Sequence, residues 1–243
     1  MASFDRRPTL SRAEARQVYD KFAEENHKQG GKDASSGYGG PAVTALLNMA
    51  HFDKARKVLD YGCGQGKLAE LVLSEHDHVY WWGIDQSPKM AKRFQDRCIK
   101  RFGTDRCRVD LLQDGDPSDV GVPESSQTVD RFVSTYCLDL LSEDDMYRVL
   151  DLAEEVLEPD GLLLLAGITW GYKDSVVTCL MTAVWDILYR VWRKKVGGCR
   201  PQNLRPYLEA RNWSIVEEAR TQPIGFPWMV SEVISARPPP RSG

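Results

Sequence analysis

The chain is poor in the residues and patterns that several large function classes require. Its six cysteines, Cys63, Cys98, Cys107, Cys137, Cys179 and Cys199, are scattered without a Cys-x-x-Cys pair, and only four histidines accompany them. A structural zinc site is left without support, and no metal is expected. Positive charge is not in excess either: 32 Lys and Arg stand against 35 Asp and Glu, for a net charge of -3. A nucleic-acid partner is therefore not expected, since phosphate neutralisation draws on clustered Lys and Arg. Met1 to Leu10 holds charges and no apolar segment, so it does not read as a secretory signal. A cytoplasmic setting with reduced cysteines is the expectation. Arg6, Arg7, Arg12 and Arg16 leave organelle targeting open, while Asp5 and Glu14 weigh against it. No internal repeat is present, and the most apolar run, Val176 to Trp192, is slightly short for a membrane span and carries Asp186 and Arg190.

What the chain does have is a glycine turn. Lys57 to Lys67 reads Lys-Val-Leu-Asp-Tyr-Gly-Cys-Gly-Gln-Gly-Lys: a β-forming apolar pair, an aspartate, then Gly62, Gly64 and Gly66 at alternate positions before the helix-favouring Leu68-Ala69-Glu70-Leu71. Glycines this close together cost backbone entropy, which points to unusual dihedrals or a ligand approaching the backbone. Two phosphate-binding fingerprints fail on spacing. Gly-x-Gly-x-x-Gly requires glycine three residues after Gly64, where Lys67 stands, and a P-loop requires Ser or Thr after Gly66-Lys67, where Leu68 stands. A second strand, Val79 to Ile84, ends at Asp85, about 20 residues past the glycines, where nucleotide-binding α/β folds place a ribose acceptor. Ser87-Pro88 then supplies an N-cap and a proline at the first helical position.

On these residues the chain resembles the class I S-adenosylmethionine-dependent methyltransferases, in the broad group that includes the quinone-biosynthesis type. Asp60-Tyr61-Gly62-Cys63-Gly64-Gln65-Gly66 stands at the family's first motif and Gly83-Ile84-Asp85-Gln86-Ser87-Pro88 at its second. Gln113-Asp114-Gly115-Asp116-Pro117 is a weaker third match, followed by strand-like Val129 to Ser134 and the turn Leu157 to Gly161 before Leu162 to Leu165. The resemblance covers about residues 40 to 170 and implies a Rossmann-like, seven-stranded, mostly parallel sheet with helices on both faces and an antiparallel C-terminal strand. It implies S-adenosylmethionine as cofactor. Asp60 would organise the loop around the cofactor's ammonium, the backbone of Gly62, Cys63, Gly64 and Gly66 would meet its methionine part, and Asp85 would accept the ribose hydroxyls. Gln86 and Met90 would flank the adenine, Asp116 would accept from its amino group, and Ser134 would sit near the methionine part. A plain turn role competes for Asp116.

The alternation of the remaining segments predicts the same layered fold. Strands are expected at 57–61, 79–84, 107–113, 129–134, 161–168, 213–219 and 228–236, and helices at 11–26, 41–50, 66–75, 88–102, 142–157, 176–192 and 203–209. Residues 29–40 read as a glycine- and serine-rich loop. The expected division is an N-terminal cofactor-closing segment, 1–56, a methyltransferase domain, 57–237, with a helical cap at about 174–208, and a disordered tail, 238–243. Within 176–192 the polar residues Thr178, Thr182, Asp186 and Arg190 recur every four positions, making one polar stripe on an otherwise apolar helix. Packing of its apolar sides over the sheet or its rim is the favoured reading. A roof over an apolar substrate pocket, or a helix resting on a membrane with Arg193-Lys194-Lys195 at the headgroups, competes with it.

The expected function is methyl transfer to a small-molecule acceptor by in-line displacement. The alternatives are a lipophilic or membrane-associated acceptor, or a scaffold that binds the cofactor without catalysis. Candidates for acceptor contact are Tyr19 and Tyr38 in the N-terminal segment, and Tyr136 and Trp170 after strands; Tyr19 and Trp170 also read as packing residues. No base is assigned: His27 in Asn-His-Lys reads as exposed, and Cys63 as a packing residue of the loop.

Overall fold

The computed structural model describes residues 7–28, 40–112, 114–121, 129–172, 175–222 and 229–240. Two helices lead in, α1 (Arg12–Lys28) and α2 (Gly40–Ala50). There follow β1 (Lys57–Tyr61), α3 (Lys67–Glu75), β2 (Tyr80–Asp85), α4 (Pro88–Phe94), β3 (Cys107–Leu111), β4 (Val129–Thr135), α5 (Glu143–Val156), β5 (Leu157–Thr169), α6 (Val176–Trp192), α7 (Arg205–Glu209), β6 (Ser214–Thr221) and β7 (Val230–Arg237). The seven strands form one sheet in the order β3-β2-β1-β4-β5-β7-β6. The first five run parallel, whereas β7 lies antiparallel to both β5 and β6.

The sheet is buried on both faces, which is why its central strands read as nearly continuous apolar runs. Neighbouring residues in a strand point to opposite faces. Leu59, Phe132 and Leu163 pack with Met146, Val149 and Leu150 of α5 and Leu208 of α7, while Val58, Val133 and Leu164 pack with Leu46 of α2, Val72 of α3 and Phe94 of α4.

Local signals in the sequence account for the element starts. Ser11 and Glu14 form a reciprocal capping box, Glu14 N–H donating to Ser11 Oγ at 3.2 Å and Ser11 N–H to Glu14 Oε2 at 3.1 Å. Ser87 and Ser142 cap α4 and α5 in the same sense. Two expectations are modified. The helix expected over 88–102 changes to a π-helical turn at Gln95–Ile99, so that the Cys98 thiol reaches Gly66 O at 3.2 Å. Strand β5 begins at Leu157 rather than 161, because Leu157 pairs with Val129 before the chain bulges out through Glu158–Gly161 and rejoins at Leu162 opposite Arg131. Pro159 has no N–H for the ladder and lies exposed in that bulge.

The packing of α6 reverses the favoured expectation. Thr178, Thr182, Asp186 and Tyr189 face inward, whereas Val176, Val177, Leu180, Val184, Ile187 and Val191 are exposed. The inward polar groups are satisfied partly within the helix and partly by the N-terminal segment, far away in sequence. Asp186 pairs with Arg7 and Arg190, the Tyr189 hydroxyl donates to Pro8 O at 2.7 Å, and the Thr182 hydroxyl donates to Thr178 O at 2.7 Å. A buried carboxylate supplied with two guanidinium groups carries its desolvation cost, so the stripe that looked solvated is the stripe that packs. Among the described residues, no helix is long and apolar enough to cross a membrane.

Candidate cofactor and acceptor site

The C-terminal ends of β1, β2, β4 and β5 open on one edge of the sheet, and the glycine turn leaves the first of them. All three of its glycines hold positive φ: 76° at Gly62, 54° at Gly64 and 75° at Gly66. Their surroundings differ. A Cβ at Gly62 would lie 2.5 Å from Cys137 Sγ, and one at Gly66 would lie 2.7 Å from the Phe94 ring and 2.8 Å from Cys98 Sγ, so both positions are closed by packing. At Gly64 a Cβ would meet nothing within 4 Å. Gly64 is thus the glycine whose outer side is open, and the others bring the loop down onto α4 and β4.

Two aspartates flank this opening. Asp85 accepts Gly64 N–H at Oδ2 and Ser87 N–H at Oδ1, both at 2.8 Å. Asp60 lies buried beneath the loop; its Oδ2 accepts the Trp81 indole N–H at 3.3 Å and its Oδ1 has no hydrogen-bond partner. The donors to these carboxylates are an indole and backbone amides, none of them charged. Burial pushes Asp60 up to about 7, and the neighbouring Asp85 adds to the rise; burial pushes Asp85 up to about 6, with Asp20 raising it further. Asp20 of α1 reaches the same place by accepting the Ser87 hydroxyl. Three acidic groups, an orphaned carboxylate oxygen and an open glycine therefore suit a ligand that brings positive charge and hydroxyls. S-adenosylmethionine, with its sulfonium, ammonium and ribose, has that chemistry, and the residues present fit it.

The other sequence candidates fall at defined places around this centre. Gln86 is half-buried, with its Oε1 where a Cβ on Gly115 would lie, and the Arg12 side chain covers the same glycine. Met90 is buried in the first turn of α4. Asp116 is heavily engaged: its Oδ2 pairs with Arg12 at 2.8 Å and Arg148 at 2.7 Å, and its Oδ1 accepts Ser118 N–H at 3.0 Å. These donors hold its carboxyl well below the usual range in spite of burial. Arg12 also pairs with Asp145 at 2.6 Å, which ties α1 to both α5 and the segment after β3. Buried Ser134 donates to Tyr61 O at 2.9 Å and clips the end of β4 to that of β1.

Beyond Ser134 the surface becomes aromatic and hydroxylic. Tyr136 holds φ 52°, uncommon for a residue with a side chain, and its hydroxyl lies 2.9 Å from Ser231 Oγ on β7. Burial pushes Tyr136 up to about 12, so it is protonated near neutrality. Tyr136 packs with Trp185 of α6 against Ile168, Cys199 and Met229, and the Tyr19 hydroxyl lies 3.8 Å from Cys199 Sγ. Tyr19, Tyr136 and α6 thus share one neighbourhood. Trp170 is exposed beside it, with the Arg7 guanidinium 5.3 Å over its ring. Burial raises the thiols of Cys63 and Cys137 well above the cysteine range; such protonated thiols are poor nucleophiles. Tyr38 and the side chain of His27 lie outside the described residues.

Asp20 and Ser231 were not singled out from the sequence, and Arg7 and Arg12 were read only as charges bearing on targeting, not as site residues. Only Arg12 left a trace: a cation in the first turn of a helix opposes the helix dipole, which marks it as serving a distant partner.

Known proteins share parts of this arrangement. Residues 58–161 match the family model described as a methyltransferase domain. Over 110 residues the chain is 30% identical to the human tRNA N(3)-cytidine methyltransferase METTL6, a stretch that is 44% of this chain and 37% of that protein. Among solved structures, the [4+2]-cyclase SpnF superposes with a TM-score of 0.73 at 17% identity, covering 96% of this chain and 98% of that one. The N-methyltransferase NodS from Bradyrhizobium japonicum, in complex with S-adenosyl-L-homocysteine, superposes with a TM-score of 0.65 at 14% identity, covering 93% of this chain and all of that one. Residues 58–161 thus match a methyltransferase domain, and the chain has the Rossmann-like fold of these solved structures.

Proposed function

We propose that this chain is an S-adenosylmethionine-dependent methyltransferase acting on a small-molecule acceptor held between Tyr136, Tyr19 and the α6 cap. The supporting observation is the division of the site: carboxylates and the open Gly64 lie on one side, while hydroxyls and apolar groups, namely Tyr136, Ser231, Ile168 and Met229, lie on the other. S-adenosylmethionine brings an already activated methyl group, so the chain's own work is to bind, orient and exclude water. In this reading Asp85 accepts the ribose hydroxyls through lone pairs left over from its two amide bonds. Asp60 balances the ammonium from beneath the loop formed by Gly62, Cys63, Gly64 and Gly66. Gln86 and Met90 flank the adenine, with Arg12 and Asp116 closing that end, and Ser134 keeps the ends of β1 and β4 together beside the methionine part. Tyr136 and Tyr19 orient the acceptor as neutral hydroxyl groups, so no ionised base on the chain is required.

The alignment with METTL6 raises a second reading, an RNA acceptor. The net charge of -3 weighs against it, and the superposition on a cyclase is a reminder that this fold does not dictate the reaction. Calorimetry with S-adenosylmethionine and S-adenosylhomocysteine tests the donor site, and absence of binding to both would sink the proposal. The acceptor is then found by screening oxygen, nitrogen, sulfur and carbon nucleophiles, with a tRNA transcript alongside, for S-adenosylhomocysteine formation. Turnover on the transcript alone would establish the second reading, and binding without turnover on any acceptor would leave a scaffold.

A further inference from the structure

The exposed face of α6 takes no part in the site described above. Val176 is 82% exposed, Leu180 61%, Ile187 58%, Val191 63% and Trp192 52%, on a helix whose polar side is turned into the protein. Spacings of three, four and seven residues align Val176, Leu180, Val184, Ile187 and Val191 along one solvent-facing stripe. Apolar residues exposed singly need no explanation, but a continuous stripe of them along a 17-residue helix marks a contact surface.

Charge identifies the partner. Arg193, Lys194 and Lys195 follow the apolar stripe with no acidic residue between Ile187 and Pro201, in a chain whose net charge is -3, whereas Arg190 pairs with Asp186 and Arg200 is buried. Asp186 is buried and engaged by Arg7 and Arg190, so it does not offset Lys194 and Lys195. Lys194 and Lys195 are exposed at the end of the apolar stripe, Lys194 in a surface ion pair with Glu14 at 2.8 Å that lipid phosphate would compete for, and Lys195 with its Nζ 5.3 Å over the Trp192 ring. An apolar helical face bordered by cations and an exposed tryptophan is the arrangement by which a helix lies in the interfacial layer of an anionic bilayer.

We propose that α6 docks this protein on an anionic membrane surface, with Leu180, Ile187 and Val191 entering the headgroup boundary and Lys194 and Lys195 meeting the lipid phosphates. This goes beyond the acceptor reading and does not depend on it. It also bears on the acceptor, because the inner side of the same helix reaches Cys199 through the Trp185 indole, whose N–H donates to Cys199 O at 3.1 Å. A docked enzyme would present its acceptor side next to the bilayer.

The test is co-sedimentation of the full chain with phosphatidylcholine vesicles and with phosphatidylcholine/phosphatidylserine vesicles. Partitioning is expected with the anionic vesicles and to weaken as salt rises. The L180Q/I187Q variant, which changes two solvent-facing positions, should lose partitioning about ten-fold or more while its circular dichroism and its affinity for S-adenosylmethionine stay as in the parent. K194Q/K195Q should lose roughly five-fold for each cation removed. Equal partitioning to neutral and anionic vesicles, partitioning to neither, or a concentration-dependent dimer that L180Q/I187Q abolishes would overturn the proposal, the last by assigning the face to a second copy of the chain. Cofactor affinity is read separately, so failure of the donor site and failure of docking remain distinct.

Discussion

Replacing Gly64 and Gly66 in turn by alanine separates the ligand-facing glycine from the packed one. At Gly66 a Cβ would stand 2.7 Å from the Phe94 ring and 2.8 Å from Cys98 Sγ. Overpacking of that kind costs about 1–3 kcal/mol, and left-handed backbone at a residue with a Cβ costs about 1–2 kcal/mol more. Gly66→Ala should therefore destabilise by about 2–5 kcal/mol, or roughly 5–15 °C in Tm for a domain of this size. Gly64→Ala meets no atom within 4 Å, so only the backbone cost of about 1–2 kcal/mol remains. Its methyl, however, fills the open side of the loop, and affinity for S-adenosylmethionine should fall about ten-fold or more, the equivalent of 1.4 kcal/mol. Differential scanning calorimetry of both apo proteins and titration calorimetry of Gly64→Ala give the two readouts. The reasoning is refuted if Gly64→Ala binds the donor as tightly as the parent, or if it loses as much thermal stability as Gly66→Ala.

The buried carboxylates set a pH dependence. Asp60 and Asp85 sit at about 7 and about 6 in the folded chain against 3.8 when unperturbed; the folded state therefore holds protons that the unfolded chain has released, and apo stability should fall as pH rises from about 4 to about 7. Asp60→Asn should flatten that slope in a thermal-shift series, and donor affinity of the parent should rise over the same window as the carboxylates ionise. Asp116 acts in the opposite sense, since its depressed pKa gives stability that is lost as pH falls below its ordinary 3.8, so Arg148→Ala should make the protein less resistant to acid. Asp85→Asn keeps the shape but removes the charge; hydrogen bonds to a charged acceptor are worth about 1.5–3 kcal/mol, and donor affinity measured by calorimetry should drop about ten- to a hundred-fold. Arg12→Ala cuts two partly exposed ion pairs worth together about 1 kcal/mol, and stopped-flow displacement should show the donor leaving several-fold faster as α1 loosens from α5.

Much of the fold was legible locally. The strand, glycine turn and helix at 57–75, the strand ending at Asp85 and the Ser-Pro helix start each depend on neighbouring residues, and the parallel order follows from the alternation of elements. Boundaries shifted where a distant strand imposed them, as at Leu157, whose pairing with Val129 begins β5 early. The candidate site was legible to the extent that it is built on these turns. Asp60, the glycines and Asp85 lie side by side because β1 and β2 are neighbours in register, Asp60 opposite Gly83.

Sequence alone could not decide how the pieces close over one another. The link of Tyr136 to Ser231 spans 95 residues, that of Arg12 to Asp145 spans 133, and that of Arg7 to Asp186 spans 179; no periodicity within a segment encodes such partners. The same holds for which side of α6 is buried. The stripe of Thr178, Thr182, Asp186 and Arg190 was plain in the sequence, and local hydropathy would turn it outward. Only the tertiary structure, by bringing Arg7 to Asp186 and Pro8 to Tyr189, holds Thr178, Thr182 and Asp186 in the interior and leaves the apolar side facing out. The glycine loop was thus determined by residues adjacent in the chain, whereas the packing of α6 and its outward apolar face were decided by contacts with the N-terminal segment.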